Sequence, residues 1–172
     1  MLFILPTDTC YGIAGDLFSS EDYHMIYALK DRDFSNRLAF LVRDFDSLRE
    51  YAEITEEQID FLVHYPHSWS VVLKKKSTWN LPEFLDPEIY NNISFRVAEI
   101  CVPANICNCI QYPLFLTSAN LSGKIESKTF AEAKESFPYM EGYNGGICDR
   151  PPSDIFTFGD NNEVFYFRKN SM

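Results

Sequence analysis

The 172-residue chain has a 46% hydrophobic fraction with fifteen Phe and ten Tyr, enough to bury a core, which excludes a disordered protein. Its formal net charge of −10 disfavours tight, direct binding to a nucleic-acid duplex, whose phosphates call for the opposite sign, although a local basic pocket would stand out against it. No apolar run approaches the roughly 20 residues needed to cross a bilayer, so no membrane association is expected.

"LFIL" reads as a short strand ended by Pro6, which also makes it too short, with no basic flank before it, for a secretory signal. "SSEDYHMIYALKD" begins with a cap at Ser19 or Ser20 and carries Met25, Ile26 and Leu29 at helical spacing, so it predicts a helix. "LAFLV", Leu38 to Val42, predicts a buried strand. Two helices follow in "DFDSLREYA" and "TEEQIDFLVHY", the second capped by Thr55 with Glu57 and Gln58 near N3. "SWSVVLKKK" predicts a strand, "LPEFLDPEIYNN" turns, and "ISFRVA" another strand. Pro103 opens a helix through Cys109 and Ile110. "PLFLT" is the next strand and "TFAEAKESF" a helix capped by Thr129. "DIFTF" and "VFYFR" close the chain as strands. Strands alternating with helices indicate an α/β domain around a twisted sheet.

Five cysteines without a CxxC pair read as reduced, mostly buried thiols rather than a disulfide framework or zinc site. His24 is isolated, and His64 and His67 share a helical face at most; without a third ligand they make no metal site. There is no P-loop, no G-x-G-x-x-G and no G-x-S-x-G elbow.

Four places carry chemistry. In "LPTDTCYGI", Thr7, Asp8, Thr9, Tyr11 and Gly12 follow a strand end and form either a plain turn or the lining of a small polar pocket. Lys30, Arg32, Asn36 and Arg37 cluster at a predicted helix C-terminus, where cations either complement the helix dipole or hold a di- or triphosphate. In "LTSANLSG", Ser118 and Asn120 lie two apart and either form an ordinary turn or, on an extended segment, both face one ligand site beyond the strand. Arg96, inside an apolar strand, needs a structural carboxylate or an anionic ligand.

Together these motifs resemble the YrdC-like (TsaC) family, the threonylcarbamoyl-AMP synthases. The resemblance rests on "PTDTCYGI" (Pro6 to Ile13), Lys30-Asp31-Arg32, Phe95-Arg96-Val97, "SANLSG" (Ser118 to Gly123) and Pro152-Ser153-Asp154-Ile155, in family order. It implies a single YrdC-like domain over 1–172, a twisted mixed α/β sheet flanked by helices with a concave, positively lined ligand cleft, and a first family helix missing. The implied activity is synthesis of L-threonylcarbamoyl-AMP from L-threonine, bicarbonate and ATP with release of pyrophosphate, by a nucleotidyltransferase. The product would pass to tRNA threonylcarbamoyl-transferase proteins for t6A37 modification in the cytoplasm. The alternative is a non-catalytic YrdC-like module binding nucleotide or RNA.

The resemblance further implies that Thr9, Arg96, Ser118 and Ser153 hold L-threonine. Lys30, Arg32, Asn36 and Asn120 would hold ATP, with Lys30 and Arg32 the catalytic pair. Mg²⁺ is expected to accompany ATP, with no tightly bound, protein-ligated metal. Four residues depart from the family pattern: Asp33 after the K-x-R, His67 and its neighbours in place of a Gly-Pro run, Ala98 after the arginine strand, and Asp154 beside Ser153.

Overall fold

A computed structural model describes residues 1–170. In chain order the elements are β1 Phe3–Pro6, β2 Tyr11–Asp16, α1 Ser20–Lys30, β3 Ala39–Val42, α2 Phe45–Tyr51, α3 Glu56–His64 and β4 Trp69–Lys74. A 3-10 turn at Ile89–Asn91 precedes β5 Asn92–Val97, α4 Ala98–Cys101, α5 Ala104–Cys107, β6 Leu114–Ser118, α6 Phe130–Ser136, β7 Asp154–Phe158 and β8 Val164–Arg168. Among the described residues no helix is long and apolar enough to cross a membrane.

The strands form one mixed eight-stranded sheet in the order β1-β2-β6-β3-β5-β4-β7-β8. Two pairs are parallel, β3 with β5 and β4 with β7; the other neighbours are antiparallel.

Period-two alternation divides the sheet into two faces with different fates. One face carries Tyr11, Ile13, Phe40, Val42, Val71, Leu73, Ile93, Phe95, Phe115 and Phe156, and builds the main core with Tyr23, Ile26 and Tyr27 of α1, Leu48 of α2, Ile59 and Leu62 of α3, and Ala133 of α6. The opposite face is only partly roofed. Leu5, Ala14, Leu41, Leu114 and Leu116 pack against Ala98, Cys101, Ile106 and Cys107 of α4 and α5 in a second, smaller core. Beyond it the same face carries Gly12, Ala39, Ser70 and Ser94, residues too small to hold a layer of their own, and a cleft stands over them.

Local signals set most helix ends. Ser19 accepts the Asp22 N–H, Thr55 and Gln58 form a complete capping box, and Thr129 and Glu132 form another. Four expectations are corrected. "TCYGI" is not only a turn: the turn is confined to residues 7–10, and Tyr11 starts a strand paired with β1 in register Pro6↔Tyr11. Tyr11 faces the main core, fully buried, where its hydroxyl donates to the Gly146 carbonyl at 2.7 Å and accepts the Gly145 N–H at 3.0 Å. The helix after Pro103 stops at Cys107, preceded by a separate turn of helix at Ala98–Cys101. His67 lies past the end of α3, so it shares no helical face with His64.

Candidate functional site

Helix α1 delivers the first cation. Ile26 and Tyr27 bury against the sheet, and Lys30, four and three residues on, lies on the same face. Its stem is buried and its ammonium reaches the C-terminal end of β6. There Nζ donates to the Ser118 carbonyl at 2.6 Å, Ser118 Oγ at 3.2 Å and Asn120 Oδ1 at 3.4 Å. Ser118 and Asn120 do converge, and what they converge on is Lys30. Burial, reinforced by the neighbouring Arg32 charge, lowers the Lys30 pKa to about 8.

The helix then closes with Asp31 in the left-handed region, φ 46°, its N–H and that of Arg32 turning back to Ala28 and Tyr27 carbonyls. That reversal points Arg32 along the sheet. Its Nη1 donates to Thr117 Oγ1 at 3.2 Å and its Nη2 to the Arg37 carbonyl at 2.9 Å, while its Nε is buried with no partner among the described residues. Asp33, the acid that follows, is exposed and turns to Ser35, whose hydroxyl and then its N–H, at 2.8 Å, lower the Asp33 pKa.

A cavity of about 180 Å³ opens over the bare part of the sheet, lined by Thr7, Thr9, Arg96, Ser118, Glu126 and Ser153 among others. Thr9, Arg96, Ser118 and Ser153, the four residues singled out for one ligand, therefore line one cavity although they come from the β1–β2 turn, β5, β6 and the approach to β7. Arg96 is buried; Nη2 donates to Asp8 Oδ1 at 2.7 Å and Nε to the Trp69 carbonyl at 3.1 Å. Thr9 Oγ1 lies 3.2 Å from Thr7 Oγ1. Ser153 Oγ lies 3.2 Å from Ser70 Oγ and accepts from Arg168 Nη2 at 3.2 Å.

A second hollow of about 480 Å³ shares Ala39, Leu116, Thr117, Ser153 and Arg168 with the first, and is also lined by Arg32, Asn36, Arg37 and Ser94. The two form one continuous cleft. Lys30 and Asn120 stand behind its wall, and Asn120 is spent within its own loop, its Nδ2 donating to Leu121 and Lys124 carbonyls. In a chain of net charge −10 the wall gathers Arg32, Arg37, Arg96 and Arg168, with Lys30 just behind, against the carboxylates of Glu126 and of Asp8, which pairs with Arg96, so cations outnumber anions there.

Arg168 is the functional residue that sequence reasoning missed. It sits at the end of β8, outside every motif, and the β7–β8 hairpin brings it back to Ser153. Glu126 and Thr7 also line the cavity. Cys10 does too, but burial pushes its thiol up to about 11, leaving it protonated and a poor nucleophile. Two departures from the family pattern point elsewhere: Asp154 accepts from the Tyr65 hydroxyl at 2.6 Å and lines a different hollow with His67, while Ala98 is fully buried in the second core.

A family model for Sua5/YciO/YrdC, described as "Telomere recombination", matches residues 1–156. The chain is 26% identical over 144 residues to a threonylcarbamoyl-AMP synthase of Pseudoalteromonas translucida, covering 83% of this chain and 76% of that protein. It is 25% identical over 160 residues to one of Yersinia enterocolitica, covering 87% and 80%. Among solved structures, E. coli YciO superposes with a TM-score of 0.77 at 18% identity over 98% of this chain and 82% of its own. P. abyssi Sua5 complexed with L-threonine superposes with a TM-score of 0.73 at 22% identity over 91% of this chain; the chain spans about half (47%) of that longer protein. At these identities the structures establish the fold. With a matched family model over most of its length and this cleft over its sheet, the chain belongs to the Sua5/YciO/YrdC family.

Proposed function

We propose that the cleft makes L-threonylcarbamoyl-AMP from L-threonine, bicarbonate and ATP, releasing pyrophosphate. The observation that carries this reading is the convergence of Thr9, Arg96, Ser118 and Ser153 on one small polar cavity, which adjoins a hollow lined by Arg32 and Asn36. A volume of about 180 Å³ suits an amino acid rather than a drug-sized ligand. In this reading Arg96 faces the threonine carboxylate, and the hydroxyls of Thr9, Ser118 and Ser153 serve its other polar groups. Arg32 and Asn36, both on the wall of the larger hollow, hold the ATP phosphates, the guanidinium by its charge and its fork of donors. Lys30 and Asn120 act from behind the wall, Lys30 by its charge and both by fixing the turn after Ser118.

The chemistry asks for orientation and charge neutralisation. Threonine's amine, having given its proton to solvent, first joins the carbon of bicarbonate with loss of water to give N-carboxy-threonine. A carboxylate oxygen of that species attacks the α-phosphorus, the new P–O bond forms in line with the one that breaks, and pyrophosphate carries away the electron pair. A carboxylate needs no base to attack, so no His is required. What it needs is cations to hold two anions together and to receive the charge growing on the leaving group, which Arg32 and Lys30 supply. In the same proposal a Mg²⁺ accompanies ATP, with phosphate oxygens as its main ligands. Bound there, it would add further charge neutralisation at the phosphates. Passing the product to tRNA-modifying proteins for t6A37 belongs to the same proposal, as does action in the cytoplasm.

The test is pyrophosphate release from ATP with and without L-threonine and bicarbonate. Release is expected to need both, and Arg32→Ala is expected to reduce kcat by about 10²–10³-fold. ATP binding without turnover would instead make the chain a nucleotide-binding module.

A further inference from the structure

Among the described residues Glu126 supplies the only carboxylate that lines either part of the cleft. It stands on the small cavity with Thr9, Arg96, Ser118 and Ser153, and not on the larger hollow with Arg32 and Arg37. Asp8 is spent on Arg96 and does not line the cavity. The residues after Glu126 fix it in place. Ser127 is buried, its hydroxyl donating to the Ala119 carbonyl and its own carbonyl accepting the Tyr11 N–H at 2.9 Å. Lys128 Nζ donates to the Thr9 carbonyl at 2.6 Å and to the Arg150 carbonyl at 3.3 Å. None of these bonds uses the Glu126 carboxylate, which is half-buried and makes no hydrogen bond or ion pair among the described residues. Its charge is nonetheless felt in the cavity, where after burial it is the next cause that pushes the Cys10 thiol up. A half-buried charge that the fold leaves unpaired is placed to meet a group from outside the fold.

A free amino acid carries two charges of opposite sign. The threonine reading of the cleft gives the substrate carboxylate Arg96 and offers hydroxyls elsewhere, which leaves the substrate ammonium without a counter-charge. We infer that Glu126 binds that ammonium and makes the cleft selective for an α-amino acid over the matching hydroxy acid, an inference that rests on the threonine reading. A carboxylate accepting from an ammonium forms a charge-assisted hydrogen bond, about twice as strong as a neutral one. A hydroxyl in place of the ammonium forfeits that charge. The same carboxylate repels phosphate, and because it stands at one end of the cleft only, it sorts the two substrates: the amino acid beside Glu126, the polyphosphate beside the arginines of the larger hollow. Once the ammonium has lost its proton, the amine N–H groups still find the same acceptor, so Glu126 keeps the nitrogen placed.

The test is titration calorimetry of wild type and Glu126→Gln with two probes: L-threonine, and the hydroxy acid of the same configuration in which a hydroxyl replaces the ammonium. Wild type is expected to bind L-threonine at least about tenfold more tightly than the hydroxy acid. Glu126→Gln, which keeps the size of the side chain and removes its charge, is expected to weaken L-threonine about 10–100-fold. It is expected to bind the hydroxy acid no more weakly than wild type does, which also shows that the cleft is still formed. L-threonine bound equally by both proteins overturns the inference and leaves the threonine reading standing. Both probes weakened in the same proportion also overturns it, because Glu126 would then support the cleft without reading the ammonium. L-threonine bound by neither protein overturns the threonine reading and the inference with it.

Discussion

Arg96 Nη2 and Asp8 Oδ1 lie 2.7 Å apart, joining the C-terminal end of β5 to the turn between β1 and β2 where neither group meets bulk water freely. The arginine strand and the "PTDT" turn are thus one unit: the carboxylate holds the guanidinium, and the guanidinium holds the turn that carries Thr7 and Thr9. Asp8→Ala strands a buried arginine without its counter-charge, and unfolding in urea is expected to show a loss of about 3–5 kcal/mol. Asp8→Asn keeps an acceptor and should lose less. Equal stability of Asp8→Ala and wild type would show that the pair does not hold the turn.

Lys30 makes two processes respond to pH in opposite directions. Its pKa is lowered to about 8 from an ordinary 10.5, so between these values the unfolded chain binds more protons than the folded one. The Lys30 contribution to folding stability therefore rises with pH across that window, as the burden of burying an ammonium is relieved. Anion binding runs the other way and weakens above pH 8 as the charge is lost. A polyphosphate that favours the ammonium should draw about half a proton onto the protein when it binds at pH 8. Calorimetry in buffers of different ionisation heat measures that uptake. Lys30→Arg, permanently charged, should abolish it.

Arg168 donates to both the carbonyl and the hydroxyl of Ser153, at 3.0 and 3.2 Å. Arg168→Ala frees that serine at the cavity wall and is expected to weaken L-threonine binding about tenfold, with little effect on the melting temperature of this exposed position. Titration calorimetry of Arg168→Ala and Arg168→Lys separates the fork from the charge, since lysine cannot serve two acceptors in the same plane.

Ala39 touches both hollows and packs at the margin of the second core. Ala39→Leu fills the space a ligand would take. Binding is expected to fall by at least about 100-fold, while the added burial keeps the unfolding free energy within about 1 kcal/mol of wild type or above it. Ligand binding that survives this change would remove the sheet face from the site.

The strands and helices with a clear period or cap were legible in the sequence: Thr55 with Gln58 and Thr129 each start a helix where the local chemistry directs. The strand at Tyr11–Asp16 was not, because "YGIAGD" carries two glycines and an acid, and its strand character comes from its place between β1 and β6. In the cleft, motif order named Thr9, Arg96, Ser118 and Ser153. It left open whether Arg96 meets a carboxylate or a ligand, and the side chain does have a structural partner in Asp8 while also lining the cavity. Arg168 carried no local signal. A basic residue ending an apolar strand reads as an ordinary edge charge until the hairpin register is known.

The walls of the cleft are drawn from nearly the whole length of the polypeptide, from Thr7 at one extreme to Arg168 at the other. A growing chain on the ribosome can complete its first helices and cap them, yet it cannot close this hollow until the β7–β8 hairpin has emerged and found β4. Contacts between such distant segments form late, because the loop they close must be ordered first. Competence to bind therefore arrives all at once with the last strand, so a nascent or prematurely terminated copy would lack a finished cleft with which to capture small metabolites.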